Sequence, residues 1–456
     1  MGNQLLIRAY NVGCGDCIYV RIPNNKDGFH ILIDCGKKGD AKLLGEAVKH
    51  MEENLLPPGS AKGKKRIDLI VATHRHEDHI KGFDPKSFAN IEVKNVWLSV
   101  AMNPKHPQAA KTRKLHNEAG KQMRALLANG HALSPQAEML ATMYVSNDQA
   151  DDLLMKEIPS ANKIDPKYVQ AGMVGSKLGL KLPPKTEIRI LAPEEDIDGY
   201  YLGKEADASL RGMQAIGGSF REQTKNVNLA PTNISAADFR TLQSRMLSNG
   251  LAFAAKDSSI QNNLSVVMLI EWGKRRLLFV GDAEWDAKFA DGRQNASWNV
   301  MWEKRKKLLN APVDFLKIGH HGSVNATPPG VPERGLGAKQ DGRVYEILDA
   351  ILPVPKKGKK PTAQAIVSTE REFYDPIPSC ERLIDVARRV SNTRNYAASF
   401  AKAKKDPAGI WVSTKAKKNK FFEKYERPNL DKPQPLRTDL EFHLNEAEFV
   451  DVEVKP

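Results

Sequence analysis

The 456-residue chain has no apolar stretch approaching the roughly 18 to 20 residues that a membrane-crossing helix needs. Its opening residues, MGNQLLIRAYNVG, also lack the basic and then apolar segments of a secretory leader. Together these absences lead us to expect a cytoplasmic protein with no membrane partner. Cysteine is scarce: Cys14, Cys17, Cys35 and Cys380 are too few to build a disulfide framework in a chain of this size. Cys14 and Cys17 have the spacing of a zinc knuckle or redox pair without a second pair to complete it, which leaves either that role or buried thiols beside a loop. No solenoid-type repeat is present. Acidic residues are in deficit, 55 against 69 Lys and Arg, and the resulting charge of +14 favours polyanionic partners without saying anything about fold.

What is present is ordinary folded-protein composition, 41% hydrophobic and 27% charged, in a length that suits two or three domains or one large domain with insertions. Alternation and turn residues predict strands at Leu5 to Tyr10, Cys17 to Ile22 and His30 to Asp34. Leu43, Leu44, Ala47, Val48 and Met51 have helical spacing and predict a helix over residues 40 to 54, ended by Pro57-Pro58-Gly59. Ile67 to Ala72, apolar apart from Asp68, reads as a strand covered on both faces. Further strands are expected at Ile91 to Val100, Glu187 to Leu191, Val313 to Ile318 and Ala363 to Ser368, with a hairpin of Leu264 to Glu271 and Arg275 to Val280. Helical pattern covers residues 285 to 309 and 378 to 390, and an alternating strand pattern runs from Leu440 to Val454.

The segment Thr73-His74-Arg75-His76-Glu77-Asp78-His79 carries the chemistry. In extended chain His74 and His76 project to one side and can chelate one ion, while Asp78 and His79 begin the next helix and can serve a second. Imidazole with carboxylate suits zinc, manganese or iron, and the near absence of thiolate favours an open catalytic site over a closed structural one. Asp282 follows a strand and Gly281, which delivers a carboxylate at a sheet edge, as a turn residue or as a bridge between two cations. His320 and His321 stand before Gly322-Ser323 at another strand end, where paired imidazoles are seldom needed for packing.

In this order the pieces resemble the metallo-β-lactamase superfamily, and within it the ComEC-type branch of hydrolase domains found in DNA-uptake proteins and stand-alone relatives. The similarity lies in Asn11-Val12-Gly13-Cys14-Gly15-Asp16, Ile33-Asp34-Cys35-Gly36, the THRHEDHIKG segment, Asn262-Asn263-Leu264-Ser265 as an N-N-x-S strand, Phe279 to Glu284, and Leu316 to Ser323. It implies an α/β fold, an αββα four-layer sandwich with metals at one edge. The two halves would be residues 1–102 and 260–395, with a core strand in 182–197, largely helical insertions at 103–181 and 198–259, and a basic C-terminal extension at 396–456.

The same resemblance implies two divalent ions, zinc or manganese, with His74 and His76 on the first, Asp78 and His79 on the second and Asp282 between them. His320 is the expected further ligand and His321 the expected substrate-facing group, although the sequence does not choose between them. Asp34 is expected to orient a ligand histidine, and Asp78, His321 and Asp34 to carry catalysis. Two departures stand out. The superfamily's further histidine before the Gly-Asp motif has no recognisable counterpart, only His106, His116 and His131 without a motif, so the first metal site is expected to be depleted. At Tyr374-Asp375-Pro376, where the branch tends to carry His before Pro, Asp375 either replaces it or is a loop residue.

The expected activity is metal-dependent hydrolysis of a phosphodiester in nucleic acid or nucleotide, through water activated at the dinuclear centre. Asn263, Ser265, Ser323 and Asp16 are candidate substrate contacts, Asn263 and Ser265 either bonding phosphate or capping the strand. Lys356, Lys357, Lys359 and Lys360, with Lys415, Lys417, Lys418, Lys420 and Phe421-Phe422, either contact a polyanion or are solvated loops. Two alternatives remain: hydrolysis of a thioester, lactone or, least expected of these, a β-lactam, and a partner-binding protein of a defence or mobile-element system with a structural metal. The oligomeric state is not indicated.

Overall fold

A computed structural model describes residues 4–24, 27–38, 41–128, 148–202, 254–290, 295–330, 341–369, 377, 379, 382, 385–386, 389–392 and 449–456. The chain is mixed α/β. Its strands are β1 (Leu5–Tyr10), β2 (Cys17–Ile22), β3 (Phe29–Cys35), β4 (Lys65–Ile67), β5 (Leu69–Ala72), β6 (Ile91–Val93), β7 (Val96–Ser99), β8 (Lys167–Val169), β9 (Thr186–Ala192), β10 (Val267–Trp272), β11 (Arg275–Phe279), β12 (Phe315–Lys317), β13 (Gln364–Ile366) and β14 (Phe449–Val454). One sheet has the order β14-β1-β2-β3-β5-β7-β8 and a second the order β13-β12-β11-β10-β9, with β4 and β6 forming a separate pair. In the first sheet β3, β5, β7 and β8 run parallel, and in the second β11, β12 and β13 do.

Period-two alternation sorts each strand's side chains between two cores. From the first sheet Leu5, Ile7, Ile31, Ile33, Leu69, Val71 and Trp97 join Ile188, Ile190, Met268, Ile270, Leu277, Phe279 and Phe315 of the second sheet in one buried cluster, so the inner faces of the sheets meet. The alternate residues Leu6, Tyr19, Leu32, Ile70 and Leu98 pack with Leu44, Ala47, Val48 and Met51 of the Lys42–Asn54 helix. On the far side of the second sheet Leu269, Leu278 and Leu316 pack with Trp298, Met301 and Trp302 of the Ser297–Leu309 helix and with Val344, Ile347 and Ile351 of the Arg343–Ile351 helix. Parallel strands buried on both faces explain why Leu69–Ala72 reads as an unbroken apolar run.

Several expectations are corrected. Ile91 to Val100 is two strands in different sheets, because the chain breaks at Lys94-Asn95 and β6 turns away to pair with β4. Helical structure expected from residue 285 begins only at Ser297, since Asp286 and Lys288 bond the Asn299 side chain across a loop instead. Asn262 and Asn263 end a helix, 254–263, rather than lying in a strand, and Asn263 Nδ2 donates back to Ser259 O at 3.0 Å. The last strand of the expected C-terminal extension, β14, is an edge of the first sheet, paired antiparallel with β1 and joined to it by the Arg8–Asp451 ion pair at 2.7 Å. The end of the first expected insertion likewise rejoins that sheet as β8. Cys380, Asp375, His131 and the lysines from 415 to 420 lie outside the described residues.

His30 on β3 gives the core a pH-sensitive element. Its ring lies buried, with Nδ1 2.7 Å from Tyr19 Oη and Nε2 bonded to the Asp27 carbonyl, and burial pushes its pKa down from 6.5 to about 4. A lowered folded pKa means that the unfolded chain takes the proton first. The stability it confers is whole above pH 6.5 and is lost as the pH falls towards about 4, roughly 3 kcal/mol in all. Chemical denaturation of His30→Phe should show a flatter acid limb than the parent over that window, and a parallel limb would refute the assignment.

Candidate metal centre

The parallel strands deliver their C-terminal ends to one edge, and the chemistry-bearing residues follow those ends: Asp34 at the end of β3, Thr73 to His79 after β5, Asp282 after β11 and His320-His321 after β12. Close backbone packing holds them there. Asp16 N donates to Asp78 O at 2.9 Å and Gly36 N to Asp16 O at 2.8 Å. A Cβ on Gly36 would fall 2.1 Å from His79 N, and one on Gly15 would fall 2.1 Å from Gly36 O, so both positions exclude any side chain. Gly281, at φ +52°, brings the Asp282 turn against Ser265 and Thr73. Asp34, His320 and His321 have positive φ of 57°, 44° and 52°, backbone strain of the kind that persists where surrounding structure enforces it.

Asp34 organises the histidines. Its Oδ1 accepts from Thr73 N, and its Oδ2 accepts from both Thr73 Oγ1 and His79 Nδ1, each at 2.7 Å. With Nδ1–H committed to Asp34, His79 presents Nε2 to Asp282 Oδ2 at 3.2 Å. The Thr73 hydroxyl, having given its proton to Asp34, can only accept from His74 Nδ1 at 3.1 Å. That leaves His74 Nε2 bare, 3.8 Å from Asp282 Oδ2 and 3.0 Å from His76 Nδ1. His320 Nε2 also faces Asp282 Oδ2, at 3.9 Å. Asp282 Oδ1 is taken by His320 N–H, whereas Asp282 Oδ2, His79 Nε2, Asp78 Oδ1 and His76 Nε2 are buried without a hydrogen-bond partner.

Lone pairs converging in a dry site call for a cation. Donor atoms held at about 2.0 to 2.2 Å by a tetrahedral ion stand about 3.3 to 3.6 Å apart, close to the separations around Asp282 Oδ2. His74, His79 and Asp282 together can hold a metal ion, as can Cys14, Asp78 and His321, or Asp16, Asp34 and His79. Burial keeps His76 and His320 uncharged, with pKa values of about 3 and about 4, and holds His74 well below its ordinary value, so their lone pairs are available. Burial would raise the Asp282 carboxyl, but His79, His320 and His74 hold it well below the usual range. Burial opposes charge on His79, but Asp282 and Asp34 outweigh it and raise its pKa.

The structure distinguishes His320 from His321. His321 Nδ1 bonds Ser368 O at 2.9 Å and Nε2 meets Asp78 Oδ2 at 3.0 Å, so both nitrogens are engaged inside the protein, while His320 is the more exposed of the two. The four candidate substrate contacts also bond within the protein. Asp16 receives the buried Lys317 ammonium at 2.8 Å, tying the two sheets together. Asn263 bonds Glu284 and Ser297, Ser265 Oγ accepts Asp282 N and meets His74 Nδ1, and Ser323 Oγ bonds Asn325.

Residues to which the sequence assigned no such part also stand here. Lys38 places a buried ammonium 3.2 Å from Asp78 Oδ2, Cys14 joins the Asp78–His321 group, and Glu284 binds Asn262, Asn263 and Asn325, its pKa pushed up to about 7 by burial. A lysine in a Gly-Lys-Lys loop carries no sequence signal of burial. Of the histidines without a motif, His106 Nδ1 accepts from Ala109 N, capping its helix. His116 lies near His76, with ring centroids 6.4 Å apart. No family model matches the chain, and no curated protein matches it at a significant level.

Two substitutions examine how the site is held. Asp34→Asn leaves a fold of the same shape but removes the acceptor pair that sets His79, and divalent-ion affinity measured by calorimetry should fall about 10- to 100-fold; unchanged affinity would remove Asp34 from the site. Gly36→Ala forces the Asp78–His79 backbone away from Asp34 and should abolish tight binding, whereas Gly342→Ala, with nothing within 4 Å, should match the parent.

Proposed function

We propose that the chain is a metal-dependent hydrolase of the metallo-β-lactamase fold, an αββα sandwich, acting on phosphodiester bonds of nucleic acid or nucleotides. The observation that carries this is the convergence of His79 Nε2, at 3.2 Å, and of His74 and His320 on the one buried oxygen Asp282 Oδ2. Such a donor set suits zinc or manganese in an oxygen- and nitrogen-rich site. When bound, divalent ions there supply an acidified water and neutralise the oxygens of an anionic ester. The protein's own residues do the rest. Asp34 and Thr73 fix the tautomers of His79 and His74, and Ser265 steadies Asp282 and His74.

The phosphodiester preference rests on the net charge of +14 and on the sequence resemblance, with Lys356, Lys357, Lys359 and Lys360 exposed on one loop as candidate phosphate contacts. Among the described residues no helix is long and apolar enough to cross a membrane. Near-total burial of Asp78, His79 and Asp282 favours a second reading, a structural metal in a partner-binding protein.

Purified protein incubated with manganese or zinc and with single-stranded DNA, RNA, cyclic nucleotides or bis(p-nitrophenyl) phosphate should cleave at least one of them. Asp282→Asn should lower that rate about 100-fold or more while the thermal melt survives. Absence of metal-dependent cleavage across the panel, with Asp78→Ala/His79→Ala melting on metal loss, would favour the structural role instead.

A further inference from the structure

Among the described residues three groups of buried side chains lie close enough to share an ion: His74, His79 and Asp282; Cys14, Asp78 and His321; and Asp16, Asp34 and His79. They differ in what already stands beside their carboxylates. In the third group Asp16 Oδ2 receives the Lys317 ammonium at 2.8 Å, and both oxygens of Asp34 are taken by Thr73 and His79. In the second, Asp78 Oδ2 meets the Lys38 ammonium at 3.2 Å. In the first, Asp282 Oδ2 is faced by the imidazoles of His74, His79 and His320.

The Cys14–Asp78–His321 group is otherwise built as an ion site. His321 Nδ1 donates to the Ser368 carbonyl at 2.9 Å, as imidazole ligands give their second nitrogen to a fixed acceptor, and its Nε2 is turned to Asp78 Oδ2 at 3.0 Å. Cys14 adds a buried sulfur, and its carbonyl accepts Lys38 N at 2.9 Å, which fixes the lysine beside the same turn. The Lys38 side chain is itself buried, so water does little to screen its charge. A divalent ion held by Asp78 Oδ2 at about 2.0 to 2.2 Å would lie no more than about 5.4 Å from that ammonium. We propose that Lys38 is a resident cation filling the Cys14–Asp78–His321 site, so that the protein binds one divalent ion, at His74, His79 and Asp282. The inference rests on the metal-binding reading and narrows it. The second positive charge of the centre is then an ammonium that the chain carries whether or not metal is bound, and it keeps Asp78 compensated in the metal-free protein.

The test is the number of ions bound by the full chain, counted by equilibrium dialysis with zinc and by cobalt(II) titration followed in the ultraviolet and visible. The parent should bind one equivalent tightly and show no sulfur-to-cobalt charge-transfer band, because Cys14 lies outside the occupied site. Lys38→Ala, and Lys38→Ser as a second variant, should bind two equivalents, the added one bringing that band. The band should vanish in Lys38→Ala/Cys14→Ser, and the count should return to one in Lys38→Ala/His321→Ala. Removing one partner of a buried pair leaves the other charge uncompensated, so the Lys38 variants should melt below the parent without metal and regain more of their melting temperature than the parent does when zinc is added. Two tight equivalents in the parent, or a single one in both Lys38 variants, would overturn the inference while leaving the metal centre standing. A parent chain that binds neither ion would overturn both.

Discussion

A carboxylate oxygen and an imidazole nitrogen 3.2 Å apart in dry interior hold together only with positive charge between them, a proton or a metal ion, and Asp282 and His79 stand in this relation. Much else follows from keeping them there. Asp34 must hold His79 from behind, and it does so from a left-handed backbone position at the end of β3. Gly36 and Gly15 must be bare so that the β3 end, the Cys14-Gly15-Asp16 turn and the short Glu77–Ile80 helix can touch backbone to backbone. On the opposite sheet Gly281 lets Asp282 reach Ser265, and the buried Lys317–Asp16 pair locks β12 to the first sheet. Breaking such a pair by removing one partner costs about 3 to 5 kcal/mol, so register between the sheets and geometry at the site are the same constraint.

How much of this could be read in the sequence depended on the range of the forces involved. β1, β2 and the Lys42–Asn54 helix follow from local patterning, because each buries a face whose period is written in consecutive residues. The donor residues His74, His76, Asp78, His79 and Asp282 were likewise visible as motifs, since ligand spacing on one strand end is local. The fates of Asp16 and Asn263 were not, because a carboxylate or amide near a site looks the same whether it meets a ligand or, as here, Lys317 or Glu284 from a distant segment. Ile91 to Val100 failed for a related reason: the apolar pattern continues across Lys94-Asn95, and only pairing with β4 separates the two strands. His116 and Lys38 lacked any local signal, since what defines them is a partner 141 residues away in one case and a buried carboxylate from another strand end in the other.

The two carboxylates of the centre are not equivalent. Asp78 has its Oδ2 neutralised by groups the chain itself supplies, the Lys38 ammonium at 3.2 Å and His321 at 3.0 Å, and these with His79 draw its pKa well below the ordinary value although burial opposes ionisation. Asp282 has no lysine or arginine among the cations that hold it ionised, only imidazoles, two of which burial keeps uncharged. A dication beside Asp282 displaces only the proton of His79, whereas one beside Asp78 Oδ1 meets the fixed Lys38 ammonium on the neighbouring oxygen. The asymmetry expected from sequence on the ground of a depleted His74–His76 site thus has a second source in the structure, and it points the other way: the position next to Lys38 is the one whose occupancy the protein's own charge opposes.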